Sequence, residues 1–380
     1  MWNDRSLTDL LGVEHPIVLS PMAGIVTPAL AAAVCEAGGL GSIGCGPLPP
    51  AVAAETIDAL RRLTRRPINV NFFCHARATI EAGRDRAWRE RLAPYHRELG
   101  LNPDAPPPVT DIPPFGDALC AVVEAARPEV VSFHFGLPDH TLLRRVKAAG
   151  CRVLSSATTV EEALWLEAYG ADAIIAQGLE AGGHRGTFLP TGLAADAVQA
   201  LPGQAGTLAL VPQIVDAVDV PVIAAGGIAD GRGIAAALAL GAAGVQLGTA
   251  FLLCPEAATP AVHREALRQA HGRATVVSNL LTGRPARLLP NRLTRELGAI
   301  LPGLPDFPLP MGALLPLRTQ AEQRGRDDFT PLWASQAAAL TQELPARELT
   351  LKLVAQAIQH QPHAYGGRDA DPEVSAARDA

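Results

Sequence analysis

One imidazole and one guanidinium stand side by side at His184-Arg185. They lie inside the stretch Gln177 to Phe188, which carries four glycines in nine residues, Gly178, Gly182, Gly183 and Gly186. An imidazole titrates near neutral pH, so it is suited to taking or giving a proton there. The glycines let the backbone turn sharply and approach a flat or anionic ligand closely. The run Ala173 to Ala176 just before them is apolar and reads as a short buried strand. A glycine-lined loop with a titratable group directly after a buried strand is where parallel α/β proteins place their chemistry. His184 is the first candidate for a base; the alternative is that it only hydrogen-bonds a phosphate or a backbone carbonyl.

Two further loops suit a phosphate. Ala225-Gly226-Gly227-Ile228 precedes a helix, whose free N–H groups and dipole favour an anion, and Gly248-Thr249 adds a second turn and a hydroxyl. Asn71, Gln177 and Gln246 stand at strand ends, where neutral amides match the carbonyl and ring-nitrogen edges of an isoalloxazine or similar ring. Together with the phosphate loops they point to FMN. Met22-Ala23-Gly24, Gly182, Gly183 and Leu247 belong to the same set of loops. His134 is a second candidate, with an orienting or substrate-contacting role and a structural one equally open. No histidine pair has zinc-ligand context and no Gly-x-Ser-x-Gly occurs, so no metal is expected and serine catalysis is disfavoured.

The elements that must position these residues repeat regularly. Strands are expected near residues 17, 41, 69, 131, 153, 174, 222 and 245, with helices between them, such as Pro28 to Ala37 and Ala51 to Arg65. Three helix ends share one local form, Ala149-Gly150, Tyr169-Gly170 and Leu240-Gly241, each a glycine cap feeding the next strand. Eight strands alternating with helices indicate an α/β protein of the (β/α)8 TIM-barrel class. The barrel is expected over residues 1–300. The charged, then proline-rich, stretch 77–114 reads as a helical insertion after the third strand. An extra loop or helix is expected between Thr187 and Gly206. Beyond Pro255 the chain reads as helix and loop, with a helical extension over 301–380. Its stretch Leu349 to Ile358 should pack on the barrel, and the tail from Gly366 should fray.

Composition narrows the partners. The formal charge is −6 with scattered Arg and Lys, so no basic stripe offers itself to nucleic acid. Ile234 to Cys254 is uncharged but is divided by glycines, and reads as a buried helix and strand, not a membrane span. The six cysteines form no CxxC and suit a reducing compartment, and the N-terminus has no hydrophobic leader, so a cytoplasmic location is expected. A homodimer is compatible with this reading.

The sequence resembles the nitronate monooxygenase (2-nitropropane dioxygenase) family over roughly residues 10 to 300. The resemblance is carried by Pro21-Met22-Ala23-Gly24, Asn69-Val70-Asn71-Phe72, Ser132-Phe133-His134-Phe135-Gly136, Gln177 to Gly186, Ala224 to Ile228 and Gln246-Leu247-Gly248-Thr249. It implies a (β/α)8 barrel that binds FMN through Met22, Asn71, Gln177, Gly182, Gly227 and Gln246 to Thr249, with His184 catalytic. The implied substrates are alkyl nitronates, with some members accepting neutral nitroalkanes, and O2 completes oxidation to a carbonyl compound and nitrite. Protonated His184 would hold the anionic nitro group, while neutral His184 would remove a proton from a nitroalkane. Two alternatives stand beside this: a related FMN-dependent enoyl-thioester (enoyl-ACP) reductase driven by NAD(P)H, and a non-catalytic carrier or accessory protein built on the same barrel.

Overall fold

The computed structural model describes residues 2–189 and 196–360. The expected tail from Gly366 and part of the expected Thr187–Gly206 element lie outside these residues.

Eight short parallel strands form the centre: β1 (Ile17–Leu19), β2 (Gly41–Gly44), β3 (Ile68–Phe73), β4 (Val130–His134), β5 (Arg152–Ala157), β6 (Ala173–Gln177), β8 (Val222–Ala225) and β9 (Gly244–Leu247). Strand β7 is the two-residue Gly183–His184, outside the barrel. The barrel order is β1-β9-β8-β6-β5-β4-β3-β2. A parallel bridge between Val18 and Leu40 closes the ring, with the Leu19 N–H donating to the Leu40 carbonyl. This is a (β/α)8 TIM barrel, with every strand near its expected position.

Its strands are buried on both faces, which explains their unbroken aliphatic runs, such as Ala173-Ile174-Ile175-Ala176 at no more than 4% exposure. Helices pack outside, and their ends follow local chemistry. Pro28 opens the helix Pro28–Glu36, where the Thr27 side chain accepts from the Leu30 N–H. Gly150, Gly170 and Gly241 follow their helices with positive φ, as the left-handed exit of a helix requires.

Two additions frame the barrel. The helix Ala82–Glu98 follows β3, and its Trp88, Leu92 and Tyr95 form a second core with Leu314, Leu317 and Phe329 from the C-terminal part. The helix Ala346–His360 buries Leu349, Leu353, Val354 and Ala357 in the main barrel core. The run Ile234 to Cys254 resolves into the end of the helix Gly231–Ala239, strand β9 and a short 3-10 turn. No helix among the described residues is long and apolar enough to cross a membrane.

One expectation is corrected. The region beyond Pro255 is not only helix and loop: Val276–Ser278 (β10) and Ala286–Leu288 (β11) form an antiparallel hairpin, to which Gly183–His184 adds as third strand. Three-residue strands carry too little alternation to register in sequence, and their pairing partner lies some hundred residues upstream. The hairpin fixes the candidate base, because His184 pairs with Ala286 and Gly183 with Arg287.

Candidate active site

Parallel topology brings the strand C-termini to one end of the barrel, and the sequence candidates gather there. Ala23 and Gly24 are exposed at the rim, whereas Met22 is half-buried beside Gly248. Asn71 is buried and donates its amide to the carbonyl and hydroxyl of Ser132, at 3.1 and 3.0 Å. Gln246 has a buried Oε1 with no hydrogen-bond partner among the described residues. Leu247 is fully buried and its carbonyl accepts from the Ser20 N–H, so its side chain serves packing.

Gln177 braces the central loop. Its Nε2 donates to the His184 carbonyl at 2.9 Å and its Oε1 accepts from the Gly186 N–H at 2.8 Å. Arg185 points inward. It has no exposed surface, and it donates to Gln204 Oε1, the Gly178 carbonyl and the Gln177 carbonyl at 2.6–2.7 Å. The guanidinium beside the candidate base therefore ties the loop shut from below.

The phosphate loops need one refinement. The first N–H groups of the helix Gly231–Ala239 are occupied, because the Asp230 carboxylate accepts from Arg232 and Gly233. An anion there would be served by the preceding loop, where Gly226 and Gly227 have φ of 119° and 69°. Among the described residues, the N–H groups of Gly227, Ile228 and Gly248 donate to no protein acceptor. Aligned free N–H groups in a turn form an anion nest. The C-terminal part covers this corner. The Ser335 N–H donates to Thr249 Oγ1 at 2.9 Å, and the Gln336 N–H to the Glu180 carbonyl at 3.0 Å. Gly182 sits against that cover, and a Cβ there would fall 2.6 Å from the backbone of Ala334 and Ser335. Ser335 could not be found by motif, since it lies 86 residues from the hydroxyl it meets.

His184 and His134 share one aromatic chamber. The His184 ring stands 6.1 Å from Phe135, 5.5 Å from Phe307 and 5.4 Å from Trp333, centroid to centroid. Phe135 touches His134 at 4.4 Å and Phe73 at 5.5 Å. His184 Nε2 is 2.9 Å from Thr282 Oγ1, and His134 Nδ1 is 2.6 Å from Ser156 Oγ. Burial among these rings, reinforced by nearby positive charge, pushes both imidazoles down to about 3. Besides burial, proximity to His184 and Arg284 disfavours a charge on His134, and proximity to Arg284 and His75 disfavours one on His184.

Beyond Thr282, Phe307, Trp333 and Ser335, two charged residues of this site were not singled out in the sequence. Glu162 is fully buried and accepts from the N–H groups of Thr158, Phe188 and Leu189 and from the Thr158 hydroxyl, fixing the far side of the loop. Arg284 follows β10 and lays its guanidinium 4.1 Å above the Phe135 ring. Glu162 reads in sequence as an ordinary first-turn helix residue, and Arg284 as part of a loop.

The depressed histidines bear on stability. Their folded pKa values lie below the ordinary 6.5, so the unfolded chain binds more protons between about 3 and 6.5. Their contribution is complete above 6.5 and is lost as pH falls toward 3. We expect Tm to fall already between pH 7 and 5, above the carboxylate range, and the fall to shrink in His134→Gln. A Tm flat over that interval contradicts the buried neutral state.

A comparison with known proteins decides the family. The nitronate monooxygenase family model matches residues 4–356. The chain belongs to the nitronate monooxygenase family. Within it, the chain is 47% identical over 349 residues to the nitronate monooxygenase of Pseudomonas aeruginosa, covering 91% of this chain and 97% of that one. Among solved structures it is similar to nitroalkane oxidase from Streptomyces ansochromogenes, with a TM-score of 0.84 and 41% identity over 93% of this chain and 98% of that one. FabK from Thermotoga maritima is more distant, at a TM-score of 0.69 and 31% identity over 94% of this chain and 97% of that one. Nitronate monooxygenases are flavin-dependent oxidoreductases, and the barrel mouth of this family member gathers glycine-rich loops, the imidazoles of His134 and His184, and the partnerless amide oxygen of Gln246.

Proposed function

We propose that this chain is an FMN-dependent nitronate monooxygenase, oxidising alkyl nitronates, and nitroalkanes after loss of a proton, with O2 to a carbonyl compound and nitrite. The observation that carries this reading is the half-buried His184 ring, held by Thr282 and walled by Phe135, Phe307 and Trp333 at the mouth of a nitronate monooxygenase-family barrel.

The residues present fit the cofactor. The orphaned Oε1 of Gln246 calls for a donor, which the ring edge of a flavin supplies. The free N–H groups of Gly227, Ile228 and Gly248, with Thr249, would hold a phosphate. The Ser335–Gln336 cover across Thr249 and Glu180 supports a cofactor ending in that phosphate, hence FMN. When bound, FMN supplies the electron-accepting chemistry that links substrate oxidation to O2.

His184 is the proton acceptor in this reading. The Thr282 hydroxyl donates to the Arg284 carbonyl at 3.3 Å, which leaves its oxygen to accept from His184 Nε2–H. The lone pair then lies on Nδ1, which has no protein partner among the described residues, and Nδ1 takes the carbon-bound proton of a nitroalkane. A neutral imidazole cannot hold an anion by charge, so of the two roles expected for His184 this reading keeps the base. The aromatic walls exclude water around the transfer. Six free thiols, five of them buried, support a cytoplasmic location.

The test is turnover in air with propyl-2-nitronate, following O2 uptake and nitrite release together. Appearance of both supports the proposal, and absence of both in flavin-loaded protein refutes it. The pH profile adds a second check. With His184 near 3, kcat/KM for a nitroalkane should not fall between pH 7 and 5, and should be lost only on approach to 3. A histidine of ordinary pKa would lose about 25-fold over that interval.

A further inference from the structure

The chamber holds one guanidinium whose hydrogen bonding is incomplete. Arg284 donates through Nη2 to the Thr187 carbonyl and lies 4.1 Å over the face of Phe135. Its Nε is buried and has no partner, and no carboxylate forms an ion pair with it among the described residues. The carboxylate whose charge is felt at Arg284, Glu162, is held by Thr158, Phe188 and Leu189. Phe135 meets both candidate histidines, so the ring that carries the guanidinium on its face also contacts both imidazoles. The titratable groups around it, His75, His134 and His184, bring no negative charge.

A buried cation without a counter-ion is costly and persists where a ligand completes it. A partnerless buried N–H is likewise a cost unless something accepts from it. The backbone beneath is also strained, since Phe135 has φ of 70°, in a region side chains rarely adopt. That conformation presents its ring to Arg284, and strain of this kind concentrates where a ligand is clamped.

We infer that Arg284 is the anion-recognition residue of this site, accepting the negatively charged nitro group of a nitronate onto its Nε–H above Phe135. This rests on the nitronate reading above and adds to it the group that selects the anion over its neutral conjugate acid. A guanidinium suits a planar two-oxygen anion, because its donors lie in one plane. The hydrogen bond to Thr187 and the contact with Phe135 hold the group in place before substrate arrives.

The experiment uses the flavin-loaded full chain. Nitrate, a planar anion that does not react, is titrated while the visible spectrum of the bound flavin is followed, and KM for propyl-2-nitronate is measured in parallel. Arg284→Met should weaken nitrate binding and raise KM by about 10- to 100-fold, the loss expected for one charge-assisted hydrogen bond. Arg284→Lys, which keeps a point charge without the planar fork, should recover part of both. Variants that retain flavin yet bind nitrate and nitronate within about twofold of the parent overturn the inference. If Met and Lys variants are equally impaired, the side chain serves only to hold the Thr187 carbonyl, and the inference is likewise overturned. Should the parent protein bind nitrate but turn over no nitronate, the assignment of Arg284 survives as an anion site while the proposed function fails.

Discussion

His184→Asn is expected to cut turnover of a neutral nitroalkane by about 10²- to 10⁴-fold, the contribution of one positioned general base. Asparagine keeps a polar group near Thr282 Oγ1, so the hairpin contact at 2.9 Å is not replaced by an apolar hole. The main-chain pairing of residue 184 with Ala286 does not depend on the side chain, and flavin content should be retained. A preformed nitronate needs no proton removed, so its turnover should fall much less. Steady-state kinetics with a nitroalkane and its own nitronate, on the same preparation, give the comparison. Equal losses with both would show that the imidazole does not act as a base.

The second large effect is on folding. Arg185→Met should destabilise the protein by about 2–4 kcal/mol, because Gln204 Oε1 and the carbonyls of Gly178 and Gln177 all lose their donor inside the protein. Part of the cost is offset, since burial makes the cation itself expensive and pushes its pKa down to about 9. Lysine cannot span three acceptors from one nitrogen without distorting them, so Arg185→Lys should recover little. Since these bonds close the loop that carries His184, flavin retention should drop with stability. Chemical denaturation and the flavin-to-protein absorbance ratio measure the two. A variant as stable as the parent would mean that water or a rearranged Gln204 takes over the three contacts.

Much of this was legible in the chain because the signals are local. A strand of buried aliphatics, a glycine after a helix and a proline at a helix start each act within a few residues, so the eight-strand count and the order of the loops follow directly. The candidates Met22, Asn71, His134, His184, Gly226, Gln246 and Gly248 converge for the same reason: parallel strands put their C-termini at one end.

What was not legible depends on distance. Gln177 reads as a ligand-facing amide, yet both ends of its amide are used on the loop, a fact set by where His184 and Gly186 return. Arg185 looks as available as its neighbour until three inward acceptors are seen. Arg284 reaches the site through a hairpin of three-residue strands, and Ser335 through a crossing from the C-terminal part. Glu162 gives no local sign that its carboxylate will be fully buried. Each of these roles is set by where the folded chain returns, 7 residues on for the amide of Gln177 and 86 residues away for the main-chain N–H of Ser335.

The molecule that delivers electrons to the flavin distinguishes a nitronate monooxygenase from an NAD(P)H-driven reductase. Under anaerobic conditions the flavin absorbance of the purified protein should bleach on addition of propyl-2-nitronate and stay unchanged with NADPH. Rapid bleaching by NADPH, with none by the nitronate, would contradict the proposed function.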